Sequence, residues 1–149
     1  MRKFKEQVDN KEKILIVVEK NSNKILFQTN ESPLANFIKK IFFKEINLNT
    51  KIEIYANQLG IGLAELSNIL KIEYYYGTEI SAPAKDIINV KNIEYEYKKL
   101  VELIHSSKCE TMICPIEKKI SEIKTTTERL KFLEEISTLN KVVCKVKKV

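Results

Sequence analysis

Arginine is almost absent from this chain. Arg2 and Arg129 are the only two, so the formal net charge of +6 is carried by lysine. Arginine makes the bidentate contacts to guanine and phosphate on which specific DNA readers depend. Its scarcity argues against specific DNA binding and leaves a general attraction to anions. Cysteine is scarce too. Cys109, Cys114 and Cys144 are odd in number and form no CxxC, so neither a disulfide framework nor a zinc ribbon follows. No apolar run approaches the ~18 residues of a membrane-spanning helix. Residues 1–13 (MRKFKEQVDNKEK) hold no apolar core of signal-peptide length. The expectation is a cytoplasmic protein without membrane contact. No internal repeat or low-complexity tract breaks the chain.

What remains is ordinary for a globular chain. At 149 residues, 44% hydrophobic and 31% charged, one domain spanning 1–149 is expected, with 1–12 as a frayed end or a helix weakly amphipathic through Phe4 and Val8, and 140–149 as a frayed end. All three glycines fall in residues 55–83, YANQLGIGLAELSNILKIEYYYGTEISAP. Within it, Leu59, Leu63, Leu66 and Leu70 recur at helical spacing, which predicts a helix over 57–70 buried on much of its circumference. Gly60 and Gly62 each weaken a helix interior by roughly 1 kcal/mol. Close helix packing would explain them; so would a helical turn left bare for an anion to reach its N–H groups. Residues 72–76 then read as a strand that ends or bends at Gly77. Ser81 is placed to cap a further helix with Pro83 in its first turn.

The rest of the chain alternates in the same way. Residues 14–19 (ILIVVE) and 24–29 (KILFQT) flank a polar turn and predict a β-hairpin, the first strand covered on both faces. Ser32-Pro33 opens a helix whose apolar face is Leu34, Phe37, Ile38, Ile41 and Phe42. Residues 51–55 (KIEIY) form a short strand or an extended lead-in to the 57–70 helix. Residues 93–97 (IEYEY) alternate as a strand, and Leu100, Val101 and Ile104 suggest a helical turn. Residues 106–113 are the least regular of the second half. Cys114-Pro115 starts another helix. Thr125 with Glu128 fits a capping box for the last one. The tail, residues 141–149, reads as an edge strand or as disordered.

These residues resemble a small family of bacterial and archaeal proteins of unknown function whose fold is like that of cytidine deaminases. The likeness spans residues 14–120. It rests on Gly60, Ala64, Tyr76, Gly77, Ile80, Ser81, Pro83 and Ala84, and on Met112-Ile113-Cys114-Pro115-Ile116-Glu117, where the family pattern is close to Gly-Met-Cys-Pro-Met-Glu. It implies an α/β fold, a three-layer α/β/α sandwich with a central mixed sheet. In deaminases the first helix position brings His-Ala-Glu and the second Pro-Cys-x-x-Cys, which hold zinc and shuttle protons. Here those places read Gly60-Ile61-Gly62-Leu63-Ala64-Glu65 and Ser81-Ala82-Pro83-Ala84-Lys85-Asp86. Neither supplies the three ligands of a catalytic zinc site. The resemblance therefore implies the fold without metal, cofactor or deaminase activity. The chain departs from many relatives in having Ile61 after the helix glycine and Lys108 to Thr111 where they have glycine.

Several residues carry candidate chemistry. Cys114, at a helix start with Lys118 one turn on, could be an activated nucleophile, and His105 lies near enough in sequence to pair with it. The plainer reading is a small buried cap. Glu117, beside Lys118 and Lys119, reads as part of a solvated first turn or as a polar group lining a cleft. Thr78, Glu79 and Ser81 are predicted in the loop after the 72–76 strand. In open α/β sheets ligands bind at the carboxyl ends of the strands. There Gly60, Gly62, Thr78, Glu79, Ser81, Cys114 and Glu117 could converge on an anionic ligand such as a nucleotide or phosphate. Three functions stand: a non-catalytic binding or regulatory module, an enzyme using Cys114, and a homo-oligomeric interaction protein with its tyrosine-rich strands at an edge.

Overall fold

The computed structural model of the chain describes residues 2–46, 48–105 and 114–138. In chain order its elements are α1 (Arg2–Asp9), β1 (Leu15–Glu19), β2 (Ile25–Thr29), α2 (Pro33–Phe42), β3 (Ile52–Leu59), α3 (Ile61–Glu65), a 3₁₀ turn (Leu66–Asn68), β4 (Ile72–Ser81), α4 (Ala82–Val90), β5 (Glu94–Val101), α5 (Pro115–Ser121) and α6 (Thr126–Ser137). The strands form one sheet in the order β2-β1-β3-β4-β5. β1 is antiparallel to both its neighbours, while β3, β4 and β5 run parallel. This mixed sheet with helices is the expected α/β class.

Alternation along the central strands separates two apolar clusters. Leu15 and Val17 of β1, Ile54 and Ala56 of β3 and Tyr75 of β4 join residues of α2 to α6. Ile16 and Val18, Tyr55 and Tyr76 point the other way and join Phe4 and Val8 of α1. Every residue from Leu15 to Val18 is therefore buried, as the unbroken apolar run predicted. The β1–β2 hairpin also forms as expected.

The helix starts follow local chemistry. Ser81 Oγ accepts the Ala84 N–H at 3.3 Å to cap α4. Thr125 Oγ1 accepts the Glu128 N–H at 3.2 Å to cap α6. Ser32 stands at the start of α2 in a left-handed conformation (φ 39°), and its side chain makes no cap bond.

Several expectations need correction. The helix predicted over 57–70 begins only at Ile61, because Asn57, Gln58 and Leu59 extend β3. There Gln58 and Leu59 pair with Glu79 and Ile80 of β4 and the Asn57 N–H donates to the Ile14 carbonyl at 3.0 Å, and these long-range bonds outcompete a leucine spacing that happens to be helical. Gly77 does not end its strand. It lies inside β4, paired with Ala56 and Tyr97, and a Cβ there would come within 2.8 Å of Leu59 Cβ and the Glu79 carbonyl oxygen. Leu100 and Val101 belong to β5, not to a helical turn. Of the two readings of the N-terminal stretch the helix holds over residues 2–9, and Phe4 and Val8 are buried against the sheet. The irregular segment 106–113 and the tail from 139 onward, with Cys109 and Cys144, lie outside the described residues. Among the described residues no helix is long and apolar enough to cross a membrane.

Candidate functional site

β3 ends at Leu59, and the chain turns through Gly60 into α3. A crevice of about 110 Å³ opens at this carboxyl end of the strand. Leu34 of α2, Leu63 of α3, Ile104 and Ile116 give it apolar walls, and Asn57, Gln58 and Glu117 add polar ones.

Glu117 is the group around which the crevice is built. It stands in the first turn of α5, yet is only 2% exposed. The Ile61 N–H donates to both of its carboxylate oxygens, at 2.9 and 2.8 Å. The Ser81 hydroxyl donates to Oε2 at 3.2 Å. One side chain thus ties the start of α5 to the starts of α3 and α4. Burial pushes the Glu117 carboxyl up to about 7; the N–H groups of Ile61 and Gly62, the Ser81 hydroxyl and the more distant Arg129 charge pull the other way without cancelling it. The reading of Glu117 as a solvated turn is corrected. The flanking Lys118 and Lys119 are the exposed residues of that turn.

The two helix glycines answer to packing. A Cβ on Gly60 would lie 2.5 Å from Glu117 Oε1 and 2.7 Å from Ile104 Cδ1. A Cβ on Gly62 would collide with Leu34 Cδ2. The Ile61 N–H that a bare turn would offer to an external anion is already taken by Glu117.

Of the residues singled out in the sequence, Gly60, Gly62, His105, Cys114 and Glu117 line this one crevice. Ser81 reaches it through its bond to Glu117. Thr78 and Glu79 do not, and they lie in β4 rather than in a loop. Thr78 donates to Asp9 Oδ1 at 2.6 Å under α1, and Glu79 pairs with Gln58 and Lys99 in the ladder. Cys114 precedes α5, half-buried, its N–H donating to the Ile104 carbonyl at 3.0 Å. The His105 N–H donates to Gln58 Oε1 at 2.6 Å. Asn57 and Gln58 were missed because residues 57–59 were assigned to the helix. The alternating Ile52, Ile54, Ala56 was the signal that the strand runs on.

Glu65, at the end of α3, faces elsewhere. It is 1% exposed and takes Arg129 Nη1 of α6 at 2.8 Å and Asn68 Nδ2 at 2.9 Å. Among the described residues no cluster of three or more His, Cys, Asp or Glu could hold a metal ion.

The family model of a domain of unknown function, DUF1893, matches residues 5–137. The chain belongs to the DUF1893 family. A solved DUF1893 structure, TM1506 from Thermotoga maritima, superposes with a TM-score of 0.70 over 90% of this chain and 87% of that one, at 17% identity. At that identity the likeness concerns the fold. No curated protein matches the sequence. The DUF1893 match gives the domain a family and a fold, and no activity comes with it.

Proposed function

We propose that this DUF1893 domain is a cytidine-deaminase-like, three-layer α/β/α sandwich without a zinc site, working as a non-catalytic module that binds a small molecule in the crevice beside Glu117. The layering is supported by α1 on one face of the sheet and α2 to α6 on the other. The loss of zinc chemistry is supported by the donor set. Where deaminases bring metal ligands on the helices after β3 and β4, this chain offers Leu63 and Ala84. The polar groups there are the Ile61 N–H and the Ser81 hydroxyl, hydrogen-bond donors already aimed at Glu117. Donors turned toward a carboxylate do not fit a cation-ligating shell.

The observation that carries the binding reading is a crevice with mostly apolar walls holding one sealed carboxylate. Few convergent polar groups in an apolar crevice at a strand carboxyl end are the usual features of a small-molecule site. A thermal-shift screen of nucleosides, nucleotides, phosphate and small amines tests it. A binder at about a hundred times its Kd adds about 2.7 kcal/mol of stability, and a Tm rise of several degrees should follow. The rise should persist in Cys114→Ala. A screen in which no compound moves Tm would dismiss the module.

A second reading, an enzyme with Cys114 as nucleophile, is favoured by one observation: Cys114 and His105 line the same crevice. The alkylation rate of Cys114 against pH, with and without His105→Gln, tests it. A rate profile unchanged by the histidine substitution counts against the pair.

A further inference from the structure

Taking the crevice beside Glu117 as a binding site, as proposed above, we infer that its ligand is a small uncharged or cationic molecule that presents an N–H or O–H donor to the Glu117 carboxylate, and that anions are excluded from it. The inference rests on that reading and adds the chemical class.

Size comes first. A volume of about 110 Å³ is too small for a whole nucleotide. It lies somewhat below the ~150 Å³ apolar cavity that takes benzene, so a ring or short chain of that order is the largest group to be enclosed.

Charge comes second. Among the described residues Glu117 is the one carboxylate on the crevice wall, and it is 2% exposed. The other ionisable groups on the wall are Lys11, His105 and Cys114, and Lys11 is exposed to solvent. From behind, Glu117 meets the N–H groups of α3, the Ser81 hydroxyl that opens α4, and the more distant positive charge of Arg129 on α6. Two like charges at contact distance repel several-fold more strongly inside a protein, where the effective dielectric is low, than in water. The exposed Lys11 is screened, whereas the sealed Glu117 is not, so above about pH 7, where Glu117 is ionised, the carboxylate decides the sign.

Hydrogen bonding comes third. An ionised carboxylate is acceptor-only, with about four lone-pair positions on its two oxygens. The Ile61 N–H lies between both oxygens and Ser81 adds a bond to Oε2. Capacity is left for a donor from the crevice. A ligand that brings only acceptors would face an acceptor.

The test uses the whole chain and four probes: propylammonium, aniline, benzene and inorganic phosphate. Binding is followed through the Ile61 and Gly62 amide resonances. Aniline should bind about tenfold more tightly than benzene, the margin of one added hydrogen bond to a charged group. Propylammonium should bind, phosphate should not, and Glu117→Gln should weaken propylammonium by about tenfold while leaving benzene unchanged. A second measurement needs no variant. Below pH 7, propylammonium should release protons from Glu117 on binding, seen as calorimetric heats that depend on the buffer. Phosphate binding with proton uptake, or benzene binding as tightly as aniline, overturns the ligand class while the binding module stands. If no probe perturbs either amide, the class fails together with the module.

Discussion

Glu117 and Gly60 share one space: a methyl group on Gly60 would lie 2.5 Å from the Oε1 of Glu117. The carboxylate reaches the Ile61 N–H because the preceding residue has no side chain. α5 is therefore held on the sheet by a polar contact that depends on an absence in another element. The same contact closes one wall of the crevice.

The two glycines should respond differently to alanine. Gly60 has φ −111° and ψ −172°, a conformation open to any residue, so the cost of Gly60→Ala is steric. Its Cβ meets a carboxylate fixed by three hydrogen bonds, which cannot turn aside. A loss of about 1–3 kcal/mol is expected. Gly62→Ala meets the end of the Leu34 side chain, which can rotate, and gains about 1 kcal/mol of helix propensity, so the net change should be small. Urea unfolding of both variants decides; equal losses would mean that Glu117 is not held.

The stability of the domain should fall as pH rises toward neutrality. The Glu117 carboxyl stands at about 7 in the folded chain against an ordinary 4.5, because burial disfavours its charge. Between those values the folded state keeps a proton that the unfolded chain has released. The stabilisation is full below the unfolded value and is lost as pH climbs through the folded one, by about 3 kcal/mol in all. Asp9 acts in the opposite sense. Burial raises its pKa, but bonds from Lys98, Thr78 and Tyr76 together outweigh this and hold it below its usual 3.8, so its contribution is lost only as pH falls below that. Glu117→Gln keeps the acceptor oxygen and removes the titration. Its unfolding free energy should be flat where that of the native chain declines, with the acid limb intact. A decline unchanged by the substitution would place the titrating group elsewhere.

The sequence showed the hairpin and the caps at Ser81 and Thr125 because each is fixed by neighbours in the chain. It misplaced residues 57–59 and Gly77 because parallel strands covered on both faces lose their alternation, so their ends are set by ladder partners far away in sequence. Leu100 was misplaced for another reason: β5 is a largely exposed edge strand, so no pattern of burial marks where it ends. The site was half visible. Gly60, Gly62, Cys114 and Glu117 could be singled out by type, but the burial of Glu117 could not. Its neighbours Lys118 and Lys119 make the turn look solvated. The groups that seal it, Ile61 and Ser81, lie 56 and 36 residues away. α1 was underrated because Phe4 and Val8 are its only apolar residues, although they stand one turn apart on a single face, the one that covers the sheet.

The buried pair of Glu65 and Arg129 should be costly to break and cheap to remove. Glu65 is sealed, and Arg129 joins it at 2.8 Å while its Nε donates to the Ile123 carbonyl at 2.9 Å. Arg129→Met leaves a buried charge with Asn68 as its remaining side-chain partner among the described residues, and a loss of about 3–5 kcal/mol is expected. Glu65→Gln combined with Arg129→Met should recover much of this. A double-mutant cycle on thermal unfolding measures the coupling. A single-variant loss of about 0–1 kcal/mol would assign the pair to the weak, solvated kind.

Removing the Phe4 ring should show whether α1 belongs to the folding unit. The ring is 5% exposed and lies 5.3 Å from that of Tyr55. At the other end of the helix Asp9 accepts from Tyr76 at 2.8 Å and from Thr78 at 2.6 Å, and the Val8 carbonyl accepts from Asn57 Nδ2 at 2.8 Å. These bonds fix the helix to β3 and β4, so the protein cannot relax around a missing ring by letting α1 slide. Phe4→Ala should cost about 3 kcal/mol and speed amide exchange in β1 and β3, whose Ile16, Val18 and Tyr55 it covers. If residues 2–9 were a loose end, the same change would stay within about 0.5 kcal/mol and leave exchange in the sheet as it was.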